Sequence, residues 1–168
     1  MTLTRSAYTR ALDRFFGTLV PWWRVLVNGF LLGTIPSVVL IGLIQIVIGI
    51  QSVPEDFFNR PAASLLYSTL VFAPLVETLL LAVIVWMLRR FIRDRMMIAL
   101  VVGVLAGLAH GASAAIWFFG TAWTFFVMTY VFVTWRQVSA VLAFLLCMGI
   151  HFVNNSFAMS IYLLGDAS

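Results

Sequence analysis

Apolar runs long enough to cross a bilayer follow one another along this chain, separated only by short charged or turn-forming segments. A run of about 18 residues or more is what a helix needs to span the hydrocarbon core. Inside that core no water is present to satisfy a peptide group, so each run must pair its own backbone as a helix. Hydrophobic residues make up 63% of the sequence and charged residues only 10%, against about a quarter charged in a soluble domain. Mean hydropathy is +1.08. The expected fold is an all-α membrane protein: a bundle of five transmembrane helices plus an N-terminal interfacial amphipathic helix, with no separate soluble domain.

Residues 1–24 read as the interfacial segment. They lack the compact apolar centre and small-residue cleavage pattern of a removable signal peptide. Arg5, Arg10 and Arg14 alternate with Phe15, Phe16, Leu19, Trp22 and Trp23, as in a helix lying at headgroup level. Residues 25–168 form the bundle. Span 1 runs from about Val25 to Ile50 and carries Pro36 and Gln45; the loop at 51–56 holds a proline and two acids. Span 2 is Ala62–Leu88, followed by the basic connector 89–95. Span 3 starts at Met96 with Gly103, Gly107 and Gly111 on one face, where a neighbouring backbone can come close. Turns near Gly111–Ser113 or at Gly120 both fit its end. Span 4 finishes at Trp135, and span 5 covers about Val138 to Leu164. Cys147, the lone cysteine, lies in an apolar run and reads as a small buried hydrophobe.

Formal net charge is +4, with all ten basic residues arginine. Nine of them gather in the N-terminal segment, the 89–95 connector and at Arg136, while the 51–61 loop, which holds Arg60, is net acidic and the C-terminus carries Asp166. Five spans with a cytoplasmic N-terminus and an external C-terminus put every arginine-rich segment on one side. The excess charge is thus a topology signal and not a nucleic-acid footprint. The expected setting is a bacterial inner membrane, with the lipid bilayer and a membrane-associated peptide or protein as partners.

Ionisable and amide groups inside the spans are few. Glu77 is the sole acidic or basic residue between Ala62 and Leu88, and Pro74 precedes it by one turn. A proline there lacks the N–H that would bond the carbonyl of Leu70, loosening the helix beside the carboxylate. His110 lies in span 3, and His151, Asn154 and Asn155 in span 5. At the helical rise, Glu77 lies about 17 Å in from Leu88, His110 about 21 Å from Met96, and His151 about 20 Å from Val138. One shared depth for these groups points to one polar site, since an intramembrane acid ordinarily faces the bundle interior or a wet cavity. Each residue alone could equally serve as a helix–helix hydrogen-bond partner. Three chemistries suit the set. A Glu–His pair can activate water while a second His and an Asn stabilise an oxyanion. Glu77, His110 and His151 could hold zinc. The same groups could also relay protons in a small transporter.

Pro74-x-x-Glu77, His110 and His151-x-x-x-Asn155 resemble the motif series of the CPBP intramembrane proteases, the CAAX prenyl protease type II and bacteriocin-processing (Abi) family. The resemblance covers about residues 70–160. It implies a metal-independent intramembrane endopeptidase with Glu77 as the base, His110 as its partner, and His151 with Asn155 as oxyanion donors. Thr78, Ala82 and Ala106 stand where the family has a second Glu, an Arg and an aromatic residue. A non-proteolytic CPBP-like membrane partner or immunity factor is the alternative that these departures allow.

Overall fold

The computed structural model describes residues 7–49 and 61–165, and among them the ordered segments are helical, without strands. The acidic 51–56 loop, Arg5 and the C-terminal Asp166 lie outside the described residues. The helices are α1 (Ala7–Phe16), α2 (Trp22–Ile48), α3 (Ala62–Tyr67), α4 (Ala73–Leu88), α5 (Arg95–Gly111), α6 (Trp117–Trp135) and α7 (Ala140–Gly165). A π-helical turn, Ser68–Phe72, joins α3 to α4. Four stretches are long and apolar enough to cross a membrane: α2, the α3–α4 segment, α6 and α7. The chain is therefore a multi-pass membrane protein. The remaining expected span, span 3, corresponds to α5, which has 17 residues and is shorter than the other four. Its boundary is resolved: the helix stops at Gly111, and the turn falls before Trp117 instead of at Gly120.

Local chemistry sets the helix ends. The Asp94 side chain accepts from the Met97 N–H at 2.8 Å, and the Ser139 hydroxyl accepts from Leu142 N–H at 3.2 Å, so each caps its helix. Gly49 takes φ 67° to close α2, its N–H bonding Gln45 O at 3.0 Å, a conformation glycine adopts without steric cost.

Span 2 departs from the continuous helix expected of it. In the π turn the pairing shifts by one residue: the Ala73 N–H reaches Ser68 O, five positions back. In that register the carbonyl left without a donor by Pro74 belongs to Thr69, and not to Leu70. Asn155 Nδ2 donates to it at 2.8 Å. Pro36 is handled alike inside α2. It cannot serve the Leu32 carbonyl four residues back, and Trp123 Nε1 donates to that oxygen at 2.6 Å. Both freed carbonyls are thus satisfied by side chains of other helices, as the interior of a membrane bundle requires.

Helix α6 is the central post. Every residue from Phe125 to Trp135 is buried. Around it pack Leu81 and Val85 of α4, Ile98, Ala99 and Val102 of α5, and Ala143, Leu146, Cys147 and Ile150 of α7. Cys147 is buried as expected, its thiol donating to Met128 O at 3.1 Å. The closest pairing is α5 on α6, made through Gly103 and Gly107. A Cβ on Gly103 would lie 2.6 Å from Ala122 O, and one on Gly107 2.8 Å from Phe118 O.

Short α1 docks on the end of this post. Tyr130 Oη donates to Thr9 O or, as the alternative, to the Asp13 carboxylate, Trp135 Nε1 donates to Phe16 O, and Arg95 pairs with Asp13 at 3.2 Å while also bonding Thr134 Oγ1. Phe16 is buried in the core, whereas Tyr8 and Leu19 stand exposed. The start of α5, the end of α6 and α1 therefore share one end of the bundle. Arg136 and Arg89 meet at this end too: partial burial first, and the charge of Arg89 second, lower the Arg136 pKa from its ordinary value. Arg90 lies over Trp86 at 4.0 Å and Arg24 over Trp23 at 5.0 Å, so this basic end carries the tryptophan–arginine border typical of a membrane surface.

Candidate active site

Packing is uneven along the bundle. The half toward the basic end is filled by the core around Phe125–Trp135, whereas the other half encloses a cavity of about 680 Å³. Its walls come from α2 (Thr34, Ser37), the π turn (Ser68, Thr69), the first half of α6 (Thr121, Thr124) and α7 (Asn154, Asn155). Glu77, His110 and His151 line it where hollow gives way to core. Helix α2 packs on α6 and α7 but not closely on α4 or the π turn, so the cavity separates α2 from that segment.

The structure brings the three ionisable side chains into one cluster. Glu77 Oε2 lies 3.6 Å from His110 Nε2 and 3.7 Å from His151 Nε2. The two imidazoles differ in exposure: the His110 side chain is 33% accessible, that of His151 only 6%, with Glu77 between at 27%. His110 Nδ1 sits 2.9 Å from Ala106 O. A carbonyl can only accept, so Nδ1 carries a proton and Nε2 is the nitrogen presented to the carboxylate. Phe125 holds both rings, with centroids 5.9 Å from His110 and 5.5 Å edge-on from His151. His151 Nδ1 and Glu77 Oε2 are buried with no hydrogen-bond partner among the described residues.

Both asparagines line the cavity, but their amides are used differently. Asn155 Nδ2 gives one hydrogen to Thr69 O and keeps a second. Asn154 is buried, its Oδ1 accepts from Thr34 Oγ1, and its Nδ2 has no partner among the described residues. Beside it, Ser37 Oγ donates to the carbonyls of Gly33 (2.7 Å) and Gly120 (2.9 Å) as alternatives, and lies 3.1 Å from Thr124 Oγ1. This hydroxyl wall from α2 and α6 was not legible in the sequence, because serine and threonine bond their own helix so readily that they mark no face. It also carries the site beyond the 70–160 range of the motif resemblance. Thr78, where the CPBP motif has its second Glu, is fully buried, absent from the cavity wall, and has an unpartnered hydroxyl.

No family model, no curated protein and no solved structure matches this chain.

No group of three or more His, Cys, Asp or Glu side chains among the described residues is arranged to hold a metal ion. A zinc-bound histidine normally anchors its second ring nitrogen on a carbonyl or carboxylate. His110 has such an anchor in Ala106 O, and His151 Nδ1 has none among the described residues. The zinc set of Glu77, His110 and His151 is a poor fit on this second-nitrogen criterion.

Proposed function

We propose that the protein is a glutamate-type intramembrane endopeptidase that hydrolyses a peptide bond within the bundle. The observation that carries this reading is one carboxylate oxygen within 4 Å of two imidazole nitrogens at the inner end of a cavity large enough for a peptide segment. Glu77 takes a proton from water, and the hydroxide attacks the amide carbonyl. His110, fixed by Ala106 O, shares that proton and returns it to the leaving amine. The oxyanion is held by a ring N–H of His151 and by the second amide hydrogen of Asn155. Desolvation by the surrounding apolar helices strengthens each of these contacts. The gap between α2 and the π turn supplies a route by which a substrate could enter from the lipid.

The accompanying topology has five crossings, with α5 as the third, the basic end cytoplasmic and α1 at the interface. Seventeen residues at the helical rise give about 26 Å, short of the average hydrocarbon core but within the range of spanning helices. A cysteine-accessibility scan, with Cys147 replaced, is expected to label position 93 from the cytoplasm and positions 55 and 168 from the opposite side. Labelling of 55 and 93 from one side removes the five-crossing arrangement.

Purified protein in lipid, assayed against peptide libraries, tests the activity itself. Cleavage is expected to survive exhaustive chelation, with no stoichiometric zinc in the protein. Zinc equimolar with the chain, lost together with activity and restored by zinc alone, would make this a metalloprotease. A second reading, a membrane partner that keeps the cavity without the chemistry, is favoured by the buried Thr78 in place of a second acid. Peptide binding without turnover in the same assay would select it.

A further inference from the structure

Glu77 and His110 also line a second, smaller cavity of about 170 Å³. It extends from the pair toward the basic end, down to Ile84, which is about 10 Å along α4 at the helical rise. Apart from that pair its walls are apolar. Leu81 and Ile84 come from α4, Val102, Ala106 and Ala109 from α5, and Phe125 from α6, while the exposed Leu80 and Leu105 form its rim on the outer face of the bundle. Among the described residues the large cavity carries the hydroxyls and amides, whereas in the small one Glu77 and His110 are the only ionisable side chains. A protein cavity of about 150 Å³ with leucine-like walls stays dry and admits a benzene-sized group. The small cavity therefore has room for one medium apolar side chain and offers no partner to a charged one beyond the pair itself.

We propose that this cavity is a side-chain pocket selecting substrates that carry a leucine-, methionine- or phenylalanine-sized residue next to the scissile bond. The proposal rests on the hydrolase reading above. A peptide in the large cavity that brings its carbonyl to His151 has its backbone beside Glu77, and the pocket lies on the other side of Glu77, His110 and Phe125, which line both cavities. A seated side chain covers one flank of the pair and turns apolar burial into positioning of the bond. Ala106 and Ala109 set the pocket's width from α5, and Ile84 sets its depth.

The test is the cleavage preference of the full-length protein in lipid on peptides varied on both sides of the bond. Wild type is expected to favour Leu, Met or Phe over Ala on one fixed side by at least about 10-fold, the usual discrimination of an apolar pocket. Ala109→Leu narrows the pocket and is expected to collapse that ratio by at least about 10-fold, and Ile84→Ala to shift preference toward Phe and Trp. Ratios measured within one variant do not depend on how much of it folds. Cleavage with no side-chain preference, or a preference that neither variant changes, overturns the pocket and leaves the hydrolase reading intact. Absence of any cleavage by wild type overturns the hydrolase reading, and the pocket's role with it.

Discussion

Glu77→Gln is expected to lower peptide cleavage by about 10²–10⁴-fold, the usual loss when a general base is removed. Glutamine keeps the volume and one carbonyl oxygen, so the cavity and the contact with His151 are preserved in shape while the proton acceptor is gone. Because Glu77 Oε2 makes no hydrogen bond among the described residues, the substitution breaks none there. Folding and membrane insertion should match wild type by detergent-resistant melting and gel filtration. His110→Ala is expected to fall in the same range, since it removes the imidazole that shares the proton. Combining the two should cost little more than either alone, as residues acting as a unit are strongly non-additive. Full activity in Glu77→Gln would dismiss the proposed base, and additive losses would dismiss the pair.

Gly103→Leu is expected to be the most damaging substitution outside the cluster. A Cβ there would meet the Ala122 carbonyl oxygen at 2.6 Å and the Phe126 backbone nitrogen at 3.2 Å, so a backbone must move and no rotamer change relieves it. Overpacking a tight core costs about 1–3 kcal/mol, and a helix displaced against the central post should reach or exceed the top of that range. Since α5 carries His110, cleavage should fall with stability. Gly42→Leu is the control: a Cβ at Gly42 meets nothing within 4 Å, and its stability should stay within about 0.5 kcal/mol of wild type. Unfolding in mixed micelles compares the two. Equal stability of both variants would mean that the glycine face of α5 is not what holds the helix on α6.

Helices, their order and the grouping of the ionisable residues were legible in the sequence because each follows from counting along one segment. Apolar length defines α2, α3–α4, α6 and α7, and counting along the helices groups Glu77 with His110 and His151, whose imidazoles the structure places within 3.7 Å of one carboxylate oxygen. That Gly103 and Gly107 admit a close neighbour follows from their missing Cβ atoms. Tertiary structure alone decided what faces what. A helix apolar all round has no polar stripe to mark its inner side, so nothing in α2 announced that Thr34 and Ser37 would line the cavity. The motif spacing singles out Asn155 from Asn154, but that Asn154 meets Thr34 while Asn155 reaches the Thr69 carbonyl was decided by the tertiary structure. The π turn is of the same kind. Pro74 dictates that some carbonyl goes without a donor, but which one depends on the register taken between α3 and α4. That register is supported by an amide arriving from α7, 86 residues further along the chain, a contact that no local pattern encodes.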